Sequence, residues 1–366
     1  MRRLMMLVAL ISAMSLLAPG AGVATASPVR PAAFGPAVKV LGGMLDWGLD
    51  MAVDSAGHVH LVAAGIHAGK PGLWYATDRS GSWATKRILR WSAGAVYVYP
   101  SLAIDANDRV HIAVDRYQCV ECTVSAVKGI FYLSDVGRAR GTFPATPTRL
   151  TAAGTAQGSL RVSGGHVFLA FAGNPDRAET AVRLLTNASG HWTTSTVVAA
   201  GTRPALRIGM DGTPHVLFTS GAILGYARAG TLTGQWHREP VTTTTGFDAD
   251  PVLSIDEDGG AHALWWDRST GMDYGTRHPG GWSWVTVAGG APVAALSIDK
   301  PDQPWIATAA DQVEVFRLAG GILTSLVVDT HGARSVAIKV LDAGAVVVAF
   351  VGGATLGVWI SRGSGG

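Results

Sequence analysis

Residues Pro251 to Trp265 read PVLSIDEDGGAHALW: an alternating apolar stretch closed by an Asp, a Gly-bearing turn, then a His that opens a second alternating stretch. Leu102, Ile104, Asp105 and His111 repeat this pattern, as do Met51, Val53, Asp54 and His60. Leu206, Ile208 and His215 repeat it with Gly209 in the Asp place. A second motif follows, a short apolar strand and then Gly-x-Trp with Val or Ile five residues after the Trp. It occurs at Gly81, Trp83 and Ile88, at Gly190, Trp192 and Val197, at Gly234, Trp236 and Val241, and at Gly280, Trp282 and Val287, with Phe143 and Ile322 in the Trp place of two looser copies.

The residue in the Asp place marks each copy: Asp54, Asp105, Ser163, Gly209, Asp256, Asp299 and Leu341, at intervals of 42 to 58 residues. Four short strands recurring at such an interval are the signature of a propeller blade. The apolar positions alternate with period two rather than 3.6, which excludes a solenoid of helix pairs. The expected fold is all-β, a seven-bladed β-propeller. The last copy has strands at Ser335 to Val340, Ala345 to Val351 and Leu356 to Ser361 and then runs out of chain. An orphan strand at Ala37 to Leu41 supplies its missing fourth strand, which closes the ring and removes an exposed sheet edge.

Ahead of the repeats, Arg2-Arg3, an apolar run from Leu4 to Leu17 and the sequence Ala24-Thr25-Ala26 have the form of a secretory signal peptide. The expected organisation is therefore a signal over residues 1–26, an Ala/Pro-rich lead-in over 27–36, the propeller over 37–362 and a flexible tail over 363–366. The product is expected to be secreted, extracellular and monomeric, with no membrane association after cleavage. Of the formal charge of +3, Arg2 and Arg3 leave with the signal, and no Lys/Arg stripe remains for a phosphate backbone, so nucleic acid is not an expected partner.

The repeat resembles that of secreted bacterial propellers of the sialidase-type, BNR/Asp-box group. Leu253-Ser254-Ile255-Asp256 with His262, and Ser101-Leu102-Ala103-Ile104-Asp105 with His111, carry the resemblance. It implies the propeller fold. No stretch reads as a full S-x-D-x-G-x-x-W box, and no set of sialidase catalytic residues carries over.

Each recurring constellation has a structural reading. A reaction centre occurs once, so Asp-His pairs copied through several blades are expected to be satisfied polar groups at blade junctions. Asp256-Glu257-Asp258-Gly259 has the composition of a turn and lacks the further oxygens of a calcium loop, so no metal and no cofactor are expected. Trp83, Trp192, Trp236 and Trp282 keep one place in each copy, as packing residues do. Cys119 and Cys122 are expected to form a small disulfide within their loop, the oxidising compartment favouring it. Asn187-Ala188-Ser189 matches a glycosylation sequon, to which no function is attached.

Residues that break the repeat say more about function. One rim, formed by the connections after the second and fourth strands, collects Asp46, Trp47, Tyr97, Tyr99, Asp115 to Tyr117, Arg203, Phe247 to Asp250 and Trp266 to Arg268. Two Asp-Arg steps stand out, each flanked by an aromatic. Asp115, Arg116 and Tyr117, with Trp266, Asp267 and Arg268, are the ligand-binding candidates, since an aromatic face stacks on a sugar while Arg and Asp bond its hydroxyls or carboxylates. The leading expectation is a non-catalytic binder of extracellular glycan or another surface partner. A glycoside hydrolase or lyase on the same rim, with catalytic residues unassigned, and a structural surface protein are the alternatives.

Overall fold

The computed structural model describes residues 33–364 except 44, 46, 93, 121–122, 174–179, 231–234, 244–245, 247–248, 288–290, 299–302, 320–321, 342–343 and 353–355. The signal and most of the lead-in, the Asp46 and Phe247 positions and the Cys119–Cys122 pairing lie outside the described residues. The described residues form β-strands and contain no α-helix.

Every strand pairing among the described residues is antiparallel, and the strands form four four-stranded sheets, one five-stranded sheet and one seven-stranded sheet, whose units follow the repeat. The first unit pairs Leu49–Val53, Val59–His67, Lys70–Thr77 and Ala84–Arg90 in sequence order. Sequence alternation explains the order. The second strand, VHLVAAGIH, is buried along nearly its whole length and is apolar on both faces. The fourth, ATKRILR, is mostly exposed and carries the charges of an outer edge. The third and fourth units share one long strand, Thr193–Ile208, which pairs first with Thr180–Thr186 and then with Pro214–Ser220.

Among the described residues, seven of the eight apolar clusters each join two units. Tyr75 and Leu89 of the first unit pack with Ile112 and Leu133 of the second, and so on along the chain. The seventh of these joins Val347 and Ala349 of the last unit to Leu61 and Trp74 of the first. Val38–Gly42 pairs with Gly357–Ser364 as that unit's outer strand, with Leu41 fully buried. The structure departs from the sequence reading at both ends of this unit. Ala33 and Phe34, placed in the lead-in, pair with Ser364 and Gly363, placed in the tail. Phe34 packs against the last unit's core, which gives this second short pairing an apolar reason to form.

The repeated polar residues sit inside single units, on the face turned to the next. Asp54 caps its turn by accepting the amides of Ala56 and His58 at 3.0 and 2.9 Å, and Asp105 does the same for Asn107 and Arg109, both at 2.8 Å. The same carboxylates accept His60 and His111 Nε2–H at 3.4 and 3.3 Å, and Asp256 accepts His262 at 2.9 Å. A carboxylate only accepts, so the proton lies on Nε2 and Nδ1 accepts from a tyrosine hydroxyl. The tyrosines are Tyr75, Tyr132 and Tyr274, at 2.5, 2.6 and 2.6 Å. His215 keeps its tyrosine, Tyr226 at 2.5 Å, but has Gly209 in the Asp place. Burial without that carboxylate pushes its pKa down to about 4.

The aromatic place of the fourth strand closes the junction. Phe143 meets Tyr75 of the preceding unit edge-on at 5.2 Å, and Trp282 meets Tyr226 at 5.4 Å. Trp282 also donates Nε1–H to Glu239, which is bridged twice by Arg277 at 2.5 and 3.1 Å. Trp83 and Trp236 pack in junction clusters, whereas Trp192 lies 43% exposed.

Candidate functional site

The first strands of successive units contact one another and line one open channel. Each has only one ladder partner, so its other edge needs acceptors for its amides. Neighbours supply them: Asp50 accepts Leu102 N–H at 2.7 Å, Ser101 Oγ accepts Leu160 N–H at 3.0 Å, and Ser159 Oγ accepts Leu206 N–H at 3.0 Å. These bonds fix the relative height of the strands and hence of every side chain they present to the channel.

At one end the channel opens into a cavity of about 960 Å³. The chain builds its mouth by kinking the first strands where they enter. Tyr99, Gln157 and Arg203 occupy equivalent positions and all three have positive φ, 51°, 61° and 53°. Each lies in a register shift of its ladder, between Val98 and Ser101, between Ala156 and Ser159, and between Thr202 and Ala205. Arg334 lies in a further shift, between Ala333 and Ser335. Left-handed backbone costs a non-glycine residue about 1 kcal/mol or more, and bulges of this kind re-aim side chains. In the first unit the matching residue is Gly48, with φ 114°, where a Cβ would come within 2.8 Å of Pro100.

The mouth has two unlike sides. Trp47, Tyr99 and Tyr117 form an aromatic wall, with Tyr99 and Tyr117 edge-to-face at 6.4 Å and Trp47 braced by Trp91 at 5.9 Å. Gln157, Arg203, Asp250 and Arg334 form a polar wall. Gln157 Oε1 accepts the Arg203 amide at 2.9 Å, and Arg203 Nε lies 3.4 Å from Asp250 Oδ1. The Asp250 side chain is largely exposed to water beside Arg203.

Of the six candidates proposed from sequence, Tyr117 lines this cavity. Asp115 lies behind the wall, fully buried, where Oδ2 accepts the Gln157 amide at 2.8 Å and Oδ1 has no partner among the described residues. Burial drives its pKa up to about 7, against the pull of the Gln157 and Gly158 amides and with help from Asp250. Arg116 lies over the Phe131 ring at 5.1 Å and donates to the Gly94 carbonyl. Asp267 is buried and accepts the amide and hydroxyl of Ser269 at 2.7 and 2.6 Å, which makes it a turn cap. Trp266 packs in the cluster between the fifth and sixth units, and Arg268 is exposed beside Gly246. The structure therefore does not bring the two Asp-Arg steps together. One lies midway along a second strand, Val110–Val120, and the other at the end of one, Ala261–Asp267, whereas first strands and the segments entering them, with Tyr117, form most of the wall.

Trp47, Tyr99, Arg203 and Asp250 of the sequence-derived rim do reach the cavity. Gln157 and Arg334 escape sequence reasoning. The signal that finds them is positional: a bulky or polar residue just before the alternating stretch of a repeat, where the strand enters the channel.

No family model matches the chain, and no curated protein does. Solved structures do. The chain is similar to a protein of unknown function from Dyadobacter fermentans (TM-score 0.55, 13% identity, 75% of this chain and 96% of that one). It is also similar to an alpha-L-arabinanase of Penicillium chrysogenum complexed with arabinobiose (0.55, 13%, 90% and 98%). A third similar structure is the polysaccharide lyase Uly1 (0.54, 9%, 88% and 91%). At such identities the likeness carries the fold alone: the chain has a β-propeller fold.

Proposed function

We propose that this chain is a secreted, seven-bladed propeller that binds an extracellular acidic glycan at the channel mouth without turning it over. The observation that carries the reading is the division of the mouth into an aromatic wall, Trp47, Tyr99 and Tyr117, and a polar wall rich in arginine, Arg203 and Arg334. Aromatic faces take the apolar face of a sugar, and guanidinium groups take carboxylates in pairs of hydrogen bonds. Seven repeats, seven shared clusters and the pairing of Val38–Gly42 with the last unit support a closed ring. The glycan-active names among similar propellers fit a carbohydrate ligand.

Binding rather than hydrolysis is favoured by the state of the two carboxylates at the mouth. Asp50 accepts three donors from its own and the adjacent strand, and Asp250 is paired with Arg203. A hydrolase needs one carboxyl to give a proton and another to act as base or nucleophile. The open position of Asp250 at the mouth is what favours the second reading, an enzyme with Asp250 as general acid.

The test is incubation of purified protein with polygalacturonate, alginate, arabinan and cellulose, measuring both retention and new reducing or unsaturated ends. Retention of the acidic polymers without products is expected. Weakened retention by Trp47→Ala and Arg203→Ala would place it at the mouth. New ends that vanish in Asp250→Asn would establish the enzyme reading. Failure to retain any polymer would leave the chain a structural surface protein.

A further inference from the structure

Below the mouth the channel continues into a second cavity of about 430 Å³, walled by aliphatic and alanine side chains except for Asp50, Arg161, Arg207 and Lys339. The three cations come from three units, yet they occupy one position of the repeat. In each ladder the residue two before the Asp place faces the same second-strand position: Ala52 opposite His60, Ala103 opposite His111, Arg207 opposite His215 and Ser254 opposite His262. Arg161 opposite Phe168, Ser297 opposite Trp305 and Lys339 opposite Val347 complete the level. The layer thus holds three long cations, with alanine and serine everywhere else.

These cations lack the partners that crowded charges normally have. The Arg161 and Arg207 guanidinium groups each donate to the carbonyl of the preceding residue, Leu160 and Leu206, and have no carboxylate within ion-pair distance among the described residues. Each guanidinium has five N–H donors, so most of each fork is uncommitted. Lys339 has no hydrogen bond or ion pair there either. The nearest counter-charge is Asp50, one level up, whose oxygens are engaged by Met51 N–H, Leu102 N–H and the Ser101 hydroxyl. Burial and the repulsion of Arg161 hold the Lys339 pKa down, and burial does the same to Arg161, with Asp50 opposing in both cases.

We propose that Arg161, Arg207 and Lys339 form a binding site for an oxyanion, held on the channel axis between them. Three donors converging from different units suit a group that presents several acceptor oxygens and negative charge, and the alanines and serines of the layer leave it room. Two sources share this chemistry: a free inorganic ion such as sulfate or phosphate, and the acidic group of a sugar entering from the mouth. The site stands whether or not the mouth binds glycan.

Calorimetric titration of the full-length secreted protein at low ionic strength, with sodium sulfate, sodium phosphate and sodium galacturonate in separate arms, tests it. Saturable binding at millimolar or lower concentration is expected, weakened about tenfold or more by Arg161→Gln and by Lys339→Met. Sulfate or phosphate heat alone identifies the inorganic source, and tighter binding of galacturonate identifies the sugar source. A second readout guards against misfolded variants. Without added oxyanion, Lys339→Met is expected to melt at least as high as wild type because it removes a repelled charge, and to lose the saturable part of the sulfate-induced rise in Tm. The unsaturable rise that sulfate gives any protein by exclusion should remain. If no arm shows saturable binding to wild type, or if both variants bind as wild type does, the site does not exist. Its loss with polymer retention intact, or the reverse, separates this site from the mouth.

Discussion

Replacing Asp115 by Asn should make the protein more stable at neutral and alkaline pH, although it removes a charge that accepts a hydrogen bond. The carboxyl is fully buried, and its pKa stands at about 7 in place of the ordinary 3.8. Between these values the folded chain holds a proton that the unfolded chain has released, so stability falls as pH rises through the window. One pKa unit corresponds to about 1.36 kcal/mol, and the shift of about three units costs the native state about 4 kcal/mol above pH 7. Below pH 4 both states are protonated and the cost is absent. Asn has the same shape, stays neutral throughout, and keeps an oxygen for the Gln157 amide. The assay is urea unfolding of wild type and Asp115→Asn at intervals from pH 4 to pH 8. The stability difference should be near zero at pH 4 and grow in favour of the variant toward about 4 kcal/mol at pH 8. A difference that does not change with pH, or that grows in favour of wild type, would refute the account.

His215 should give the opposite slope. Its pKa of about 4 lies below the ordinary 6.5, so acid protonates the unfolded chain first and about 3 kcal/mol of stability is lost as pH falls from 6.5 to 4. His215→Phe should flatten that window while losing about 1 to 3 kcal/mol at every pH through the orphaned Tyr226 hydroxyl, and an unflattened urea series would contradict this. Deleting Val38 to Gly42 strips the outer strand from the last unit and removes buried Leu41; a sharp fall in Tm or aggregation by light scattering is expected, and unchanged melting would remove the closure argument. On the proposed secretion, Cys119 and Cys122 should resist alkylation until reduced, which intact mass decides.

Much of the fold was legible in the sequence because the determinants are local. Period-two alternation marks a strand wherever it sits, Asp and Gly cap a turn through bonds to amides two to four residues away, and the seven copies recur without reference to any partner. Asp54, Asp105 and Asp256 could therefore be read as turn and His partners from spacing alone. The shortfall of one strand at the end of the chain, matched by the spare strand at Val38–Gly42, was also countable.

The site was legible only in part, since a side chain's access to the channel depends on its strand's rank in a sheet. Asp115-Arg116 and Asp267-Arg268 look like ligand groups in sequence, but one lies midway along a second strand and the other closes one, and both carboxylates are buried. Gln157 and Arg334 look unremarkable, yet a bulge turns each entering strand and presents them to the cavity. Arg161, Arg207 and Lys339 stand up to 178 residues apart and become one layer only when the first strands are stacked side by side at equal height. Sequence set the repeat and its turns through near-neighbour physics. The packing of distant strands against one another decided which charges meet, and which lie buried.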